Sequence, residues 1–288
     1  MNRTTTAQGA VMDLLDSAAS LLQGRTITVL TGAGVSTDSG IPDYRGEGAP
    51  ARTPMTFQQF LSDPAYRRRY WAGSHLGWLR FTGVTPNAGH RALRDLERAG
   101  VVNGVLTQNV DGLHGRAGSQ RVIELHGSMS RVRCLLCGQM FARDSVARRM
   151  AESNPWLDVP DEIELAPDGD VAVSRLKDFV IPECTNCGGM LKPDVVFFGE
   201  LIPSERFAAA RTVLHEADAL LVAGSSLVVN SGIRLLDQAV KRHLPVVVIN
   251  RGPTKGDARA TIKLEAGTSQ TLTALAERLR AQSGRTRG

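Results

Sequence analysis

Apolar and polar residues follow two different periods along the chain. Apolar residues at helical spacing over 10–22 predict a helix, and the β-branched apolar run at 27–30 predicts a buried parallel strand. Similar strand runs occur at 101–106, 219–223 and 245–249, and further helical patterns at 233–242 and 274–279. Strands that alternate with helices predict an α/β fold with a doubly wound parallel Rossmann-like sheet. In such sheets, ligands bind beyond the carboxyl ends of the strands.

Two segments interrupt this alternation and predict a smaller module. Residues 51–85 have helical character and many aromatic side chains, and residues 131–189 contain all four cysteines and a polar stretch. We therefore predict one domain over residues 1–288 with a smaller zinc-binding and helical module formed by these two segments. The Rossmann-like core would span about 10–50, 86–130 and 190–280.

The composition narrows the possible classes of function. Hydrophobic residues make up 42% of the 288 positions, enough for a sizeable core, whereas the 5% of aromatic residues disfavours a stacking platform for nucleic acid. The net charge of +5 is scattered, so we expect no specific nucleic-acid partner. The first residues do not resemble a signal peptide, and no apolar run reaches the length of a membrane span. We therefore expect a cytoplasmic protein without a membrane partner.

The four cysteines form two pairs with the spacing of metal ligands. Two residues separate Cys134 from Cys137 and Cys184 from Cys187, and each pair is followed by a glycine that permits a tight turn. This spacing lets both sulfurs of a pair face one tetrahedral metal, so it predicts one structural zinc ion with four thiolate ligands. Buried or redox-active thiols are the alternative for these residues. A zinc-ribbon protein that binds nucleic acid is the alternative for the whole chain.

A glycine-rich turn follows the first predicted strand and is expected to lead into a helix. Gly32, Ala33 and Gly34 resemble the start of a dinucleotide-binding fingerprint, but Thr37 stands where its third glycine belongs. No acidic residue closes a clear second strand, so a plain dehydrogenase is disfavoured. The polar continuation to Gly46 is longer than a structural turn needs.

Seven motifs in a fixed order resemble the signature of the sirtuin family. They are GAGVSTDSGIPDYRG, TQNVDGLH, ELHGS, the paired CxxC motifs, KPDVVFFGE, GSSL and VVVIN, and they cover roughly residues 25–280. PNAGH at 86–90, LAPDGDV at 165–171 and Tyr44 resemble the class II branch. The resemblance implies an enzyme that consumes NAD to remove acetyl or related acyl groups from protein lysine. The other products would be nicotinamide and O-acyl-ADP-ribose.

The resemblance also implies which residues bind NAD. Backbone amides of the glycine-rich turn would reach the pyrophosphate at a helix N-terminus. The loop after that turn would close over the cofactor, and Asn250 would hydrogen-bond the adenine ribose. The implied cofactor set is Gly32, Ala33, Gly34, Thr37, Asp38, Ile41, Pro42, Asp43, Tyr44, Arg45, Gln108, Asn109, Val110, Asp111, Gly224, Ser225, Ser226, Asn250, Arg251, Gly252 and Thr268.

His126 is the catalytic residue that the resemblance implies, together with Asn109 and Asp111. In sirtuins the acyl-lysine oxygen attacks the nicotinamide ribose, and a general base then deprotonates a ribose hydroxyl. An imidazole titrates near neutral pH, which suits such a base. Of the other histidines, we expect His90 to cap or pack and His75 to lie at the surface.

The acylated peptide would bind between two segments of the chain as an added strand. The implied substrate set is Val196, Phe197, Phe198, Gly199, Glu200, Leu227 and Val228, and the apolar members of the first segment would also shield the ribose carbon from water. Sirtuins that prefer succinyl groups carry Tyr and Arg, spaced Y-x-x-R, ahead of PNAGH. Ser74 and Gly77 stand there, and Tyr66 and Arg69 lie too early, so we expect poor activity on succinyl-lysine. Protein mono-ADP-ribosylation on the same fold is the alternative activity.

Overall fold

A six-stranded parallel sheet forms the centre of the molecule. A computed structural model describes residues 3–43, 54–157 and 176–283. Within these ranges the strands are β1 (Ile27–Thr31), β2 (Val102–Thr107), β3 (Val122–Glu124), β4 (Gly127–Cys134), β5 (Met140–Ala142), β6 (Leu191–Val195), β7 (Ala219–Ala223), β8 (Val246–Ile249) and β9 (Ile262–Leu264). The large sheet has the order β3-β2-β1-β7-β8-β9, and all its pairs are parallel. The predicted doubly wound sheet is thus confirmed.

Helices cover both faces of this sheet. In the same ranges they are α1 (Arg3–Leu22), α2 (Phe57–Ser62), α3 (Pro64–Phe81), α4 (Ala88–Arg98), α5 (Leu113–Ala117), α6 (Arg143–Ser153), α7 (Ser204–His215), α8 (Asn230–Lys241) and α9 (Thr268–Ser283). Side chains of α1, α4 and α9 share one buried core with the sheet, and side chains of α7 and α8 share another. Because successive strand residues point to opposite faces, Val29 joins the first core and Leu30 the second. None of the helices in the described ranges is long and apolar enough to cross a membrane.

The strand order reverses between β1 and β7. The chain runs outward from β1 to β2 and β3, and it returns to the other side of β1 with β7. Gly32 follows β1 and Gly224 follows β7, so both lie beyond the carboxyl ends of these neighbouring strands. A reversal of this kind opens the crevice where α/β sheets bind their ligands.

The segment after β1 is not the helix that the sequence predicts. Two short 3-10 turns, Ala33–Val35 and Thr37–Ser39, follow the strand instead. The amide of Gly34 donates to the carbonyl of Gly224 at 2.9 Å. The turn is therefore tied to the chain after β7 and does not continue into an α-helical ladder.

A second sheet of three antiparallel strands lies outside the large one. β4 pairs with β5 on one side and with β6 on the other. Its buried core includes Phe60 and Trp71 from the aromatic helical segment and Val132 and Cys184 from the cysteine-containing segment. The two inserted segments therefore share one core. The exact division of the chain into core and module stays a prediction.

His75 is buried, so the expected surface position is wrong. It is 6% exposed, and every residue of α3 from Tyr70 to Trp78 is buried. This part of α3 is covered on all sides. A helix of this kind has no single apolar face, so an amphipathic pattern in the sequence does not predict its burial. His90 does cap α4: its Nδ1 accepts from the amide of Asn87 at 3.4 Å.

Candidate active site

A cavity of about 1220 Å³ opens at the reversal point of the large sheet. Its wall contains most of the implied cofactor residues, namely Gly32, Ala33, Gly34, Ile41, Asp43, Gln108, Asn109, Val110, Asp111, Gly224, Ser225, Ser226, Asn250, Arg251 and Gly252. His126 and all seven implied substrate residues, Val196, Phe197, Phe198, Gly199, Glu200, Leu227 and Val228, belong to the same wall. The fold thus brings together residues that are far apart in the sequence.

Some implied cofactor residues lie elsewhere. Those outside the cavity wall are Thr37, Asp38, Pro42 and Thr268. The hydroxyls of Thr37 and Thr268 donate to the carbonyl of Gly34, at 3.2 and 2.9 Å, so they hold the turn and do not face the cavity. Tyr44 and Arg45 lie outside the described residues.

The glycines after β1 and β7 let two turns touch each other. A Cβ on Gly34 would lie 2.9 Å from the Cα of Gly224, and a Cβ on Gly224 would lie 2.4 Å from the nitrogen of Val35. The amides of Gly32 and Gly34 donate to the carbonyls of Ala223 and Gly224. These two amides are thus bonded within the protein, and binding of the pyrophosphate by the backbone of this turn stays a prediction. Their glycines serve close packing.

A serine that the sequence analysis missed holds Asn109 and Asp111. The Ser36 hydroxyl donates to Asp111 Oδ2 at 2.7 Å and accepts from Asn109 Nδ2 at 3.1 Å. Asp111 Oδ1 accepts from the amide of Leu113 at 2.9 Å. Ser36 is fully buried, so these bonds offset the cost of burying its hydroxyl. Its place in the polar continuation after Gly34 is the signal that could have identified it.

The hydrogen-bond partners of His126 assign the proton of its neutral ring to Nδ1. This nitrogen lies 2.8 Å from the carbonyl oxygen of Gln108, which can only accept a hydrogen bond. In the neutral ring Nε2 is then unprotonated, and it lies 2.9 Å from the hydroxyl of Ser231, a second residue that the sequence analysis missed. Burial lowers the pKa of His126, and the bond to Gln108 opposes this shift. A neutral imidazole with a lone pair on Nε2 can act as a general base.

The loop after β8 forms another end of the cavity. Asn250 Nδ2 donates to the carbonyls of Arg251 and Gly252, at 2.7 and 3.1 Å. Because the amide hydrogens of Asn250 are used inside the loop, its side-chain oxygen is the group that can accept from a ribose hydroxyl.

The two segments expected to bind peptide border the cavity. Glu200 Oε2 accepts from the amide of Phe197 at 2.8 Å and from Lys192 Nζ at 2.9 Å, so its carboxylate fixes the turn of its own segment. Phe198 is 43% exposed and Val228 is 37% exposed, which places one apolar surface on each segment.

The four cysteine sulfurs form one compact cluster. Their Sγ atoms all lie within 4.8 Å of one another, with 3.6 Å between Cys134 and Cys187 and 3.8 Å between Cys137 and Cys184. Sulfurs at about 2.3 Å from a tetrahedral zinc ion lie about 3.8 Å apart, so the cluster fits zinc and is too open for disulfides. The cysteines do not belong to the wall of the cavity, which agrees with a structural site.

Comparison with known proteins identifies the family. The model of the Sir2 family matches residues 32–231, and the chain belongs to this family. NAD-dependent protein deacetylase 1 of Mycobacterium avium (strain 104) is 51% identical over 90% of this chain and 93% of the relative. The mitochondrial NAD-dependent protein lipoamidase sirtuin-4 of Bos taurus is 44% identical over 86% of this chain and 81% of the relative. A solved structure of Sir2 with a p53 peptide and NAD+ has a TM-score of 0.72 at 29% identity, and covers 95% of this chain and 97% of that chain. The resemblance to sirtuins is thus confirmed.

Proposed function

We propose that this chain removes acyl groups from lysine side chains of other proteins and consumes NAD in the reaction. The observation that carries the proposal is the position of His126, whose unprotonated Nε2 shares one cavity with the hydrogen-bonded group of Ser36, Asn109 and Asp111. A base beside polar groups that suit a ribose and a carboxamide is what NAD-dependent deacylation requires. The Mycobacterium avium relative, named as a deacetylase, supports the same activity.

The cavity fits NAD in size and in chemistry. Its volume of about 1220 Å³ exceeds the roughly 300–1,000 Å³ of ordinary small-molecule pockets, so it has room for a dinucleotide and an acyl-lysine. Asn109 and Asp111 would bind the nicotinamide carboxamide and ribose, and Asn250 would accept from the adenine ribose. NAD supplies the ribose carbon to which the acyl oxygen becomes bonded.

The residues of the chain would then perform two tasks. His126 Nε2 would take the proton of a ribose hydroxyl, while the Nδ1 hydrogen stays bonded to the Gln108 carbonyl and stabilises the charged ring. Val110 and Phe197, each 8% exposed, would supply an apolar wall that excludes water from the reacting carbon. The more exposed Phe198 suits contact with the peptide better than this shielding role.

Helix α3 offers no cation to a negatively charged acyl group in the cavity. Tyr70 is the residue by which α3 contributes to the wall, whereas Ser74 and Gly77 are buried in the same helix and do not line it. The guanidinium of Arg143 donates to Ser74 and is also buried away from the cavity. A carboxylate on the acyl group would therefore be desolvated without a matching cation from α3.

A panel of acylated lysine peptides incubated with NAD tests the activity. Mass spectrometry should show loss of the acyl mass and formation of O-acyl-ADP-ribose, with acetyl or longer uncharged groups ahead of succinyl. Reactions without NAD are the control. Addition of ADP-ribose to the protein target, without deacylation, would contradict the proposal in favour of mono-ADP-ribosylation. If succinyl-lysine proves to be the best substrate in the panel, only the proposed acyl preference is overturned.

The branch of the sirtuin family and the location of the protein are also proposals. The 44% identity to bovine sirtuin-4 supports the class II branch. A cytoplasmic location and the absence of a specific nucleic-acid partner stay predictions. The zinc-ribbon alternative does not account for membership of the Sir2 family.

A further inference from the structure

Ser231 lies directly beside the proposed base. It belongs to the first turn of α8 and is 3% exposed. Its Oγ lies 2.9 Å from His126 Nε2 and 3.1 Å from Gln108 Nε2. A Cβ on the next residue, Gly232, would lie 3.2 Å from Gln108 Nε2, so this glycine leaves room for the Gln108 side chain. The Ser-Gly pair thus lets one side chain contact both the base and its neighbour.

The hydrogen-bond partners fix the position of every proton in this group. The Gln108 carbonyl requires the proton of His126 to be on Nδ1, so Nε2 can only accept. The hydroxyl of Ser231 must therefore donate to His126 Nε2. Its oxygen in turn accepts from Gln108 Nε2, which as an amide nitrogen can only donate.

The same chain of hydrogen bonds reaches the segment expected to bind peptide. Ser225 Oγ donates to Gln108 Oε1 at 2.6 Å and accepts from the amide of Leu227 at 3.2 Å. Ser225 thereby determines which end of the Gln108 amide faces Ser231. Leu227 has φ of 55°, a left-handed conformation that is uncommon for residues other than glycine. Three side chains connect this amide to the base.

We propose that Ser231 is a positioning residue, which holds His126 with Nε2 as the proton acceptor and ties the base to the peptide-binding segment. The inference rests on the proposed function, because the base acts in deacylation. Without the hydroxyl, the imidazole loses the partner that orients Nε2 among the residues that the structure describes. The remaining partner, the Gln108 carbonyl, holds only Nδ1.

A hydrogen bond donated to Nε2 also stabilises the neutral ring. Loss of the Ser231 hydroxyl should therefore raise the pKa of His126 and move the acid limb of the rate profile to higher pH. Other titratable groups in the cavity wall are Asp43, Tyr70, Asp111, Glu200, Arg211, Arg234 and Arg251. They are unchanged in a Ser231 variant, so a shift of the limb reports the hydroxyl itself.

Ser231→Ala and Ser231→Thr in the full chain test the proposal. Deacylation of an acetyl-lysine peptide and exchange of labelled nicotinamide into NAD would be measured across pH. Ser231→Ala should lose about tenfold in deacylation and keep most of the nicotinamide exchange, and the acid limb of its deacylation profile should move to higher pH. Ser231→Thr should restore the deacylation rate and the position of the acid limb. Ser119→Ala removes a serine hydroxyl that is also buried but lies outside the cavity wall. It should change neither the deacylation rate nor the position of the acid limb. Equal loss of both activities, or an unmoved acid limb, would overturn the proposal.

A measurement on the unaltered chain keeps the proposal testable if the variants fold poorly. Nitrogen-15 NMR of labelled histidine distinguishes the two neutral tautomers. We expect His126 to carry its proton on Nδ1 at pH 8. A proton on Nε2 would contradict the proposal even if the chain proves to be a deacylase, and failure of all acyl peptides with the expected tautomer would instead contradict the proposed function.

Discussion

The cysteine cluster and the active-site cavity are built in opposite ways. Each half of the cluster is a short loop whose two sulfurs are three positions apart, and Gly138 and Gly188 turn these loops locally, with φ of 75° and 69°. The cavity instead depends on pairs from distant parts of the chain, such as Ser36 with Asp111 and His126 with Ser231, which are 75 and 105 positions apart. The cluster can therefore form wherever its loops meet, but the cavity exists only if the parallel sheet is correctly assembled.

The loss of a zinc ligand should have the largest effect, and the effect should be local. Apparent zinc-binding free energies of about 10–16 kcal/mol are coupled to folding in small zinc modules. We expect Cys184→Ala to lose about one zinc ion per chain and to lose amide-exchange protection in β4, β5 and β6, while β1 and β7 stay protected. Elemental analysis and exchange mass spectrometry would measure this. Leu136→Ala, at a 74% exposed position between the ligands, is the control. A zinc-free variant with full protection would contradict the account.

A side chain added where the turns after β1 and β7 touch should have a smaller effect on stability, and this effect concerns the cavity region. A methyl group on Gly34 would meet the backbone of Gly224 at 2.9 Å, so Gly34→Ala should lower the free energy of unfolding by about 1–3 kcal/mol. Urea unfolding would measure the change, and zinc content should not alter. Gly115→Ala is the matched control, because a Cβ there meets nothing within 4 Å. If the two variants are equally stable, close packing does not explain the glycine at position 34.

A buried histidine, His114, should make the free energy of unfolding depend on pH. Burial lowers the pKa of His114 from 6.5 to about 4. The unfolded chain then binds more protons than the folded one between these values, so stability is lost as pH falls through this window, by about 1.4 kcal/mol per pH unit. His114→Gln should reduce this slope in urea unfolding between pH 6.5 and 4.5, whereas His215→Gln, at an exposed position, should not. An unchanged slope in His114→Gln would show that another group is responsible.

The same contrast explains what the sequence could and could not predict. The cysteine spacing and the apolar strand runs are local patterns, and β7 lies where its run predicts. The 3-10 turns after β1, the burial of His75 and the roles of Ser36 and Ser231 depend on contacts between distant segments, which no local period encodes. The glycines after β1 show the limit most clearly. The sequence shows these glycines, but it does not show the contact with Gly224 that requires them.

The most direct test of the account compares two reactions in two variants of the full chain. Nicotinamide exchange reports the first chemical step, which requires the cofactor to be held but needs no base. Deacylation also requires the second step, to which a general base contributes about a hundred- to ten-thousand-fold. We predict that His126→Ala keeps its zinc and its fold, retains exchange in the presence of acyl-lysine peptide and loses deacylation by such a factor, whereas Asn109→Ala impairs both reactions. Near-normal deacylation by folded His126→Ala would contradict the central claim.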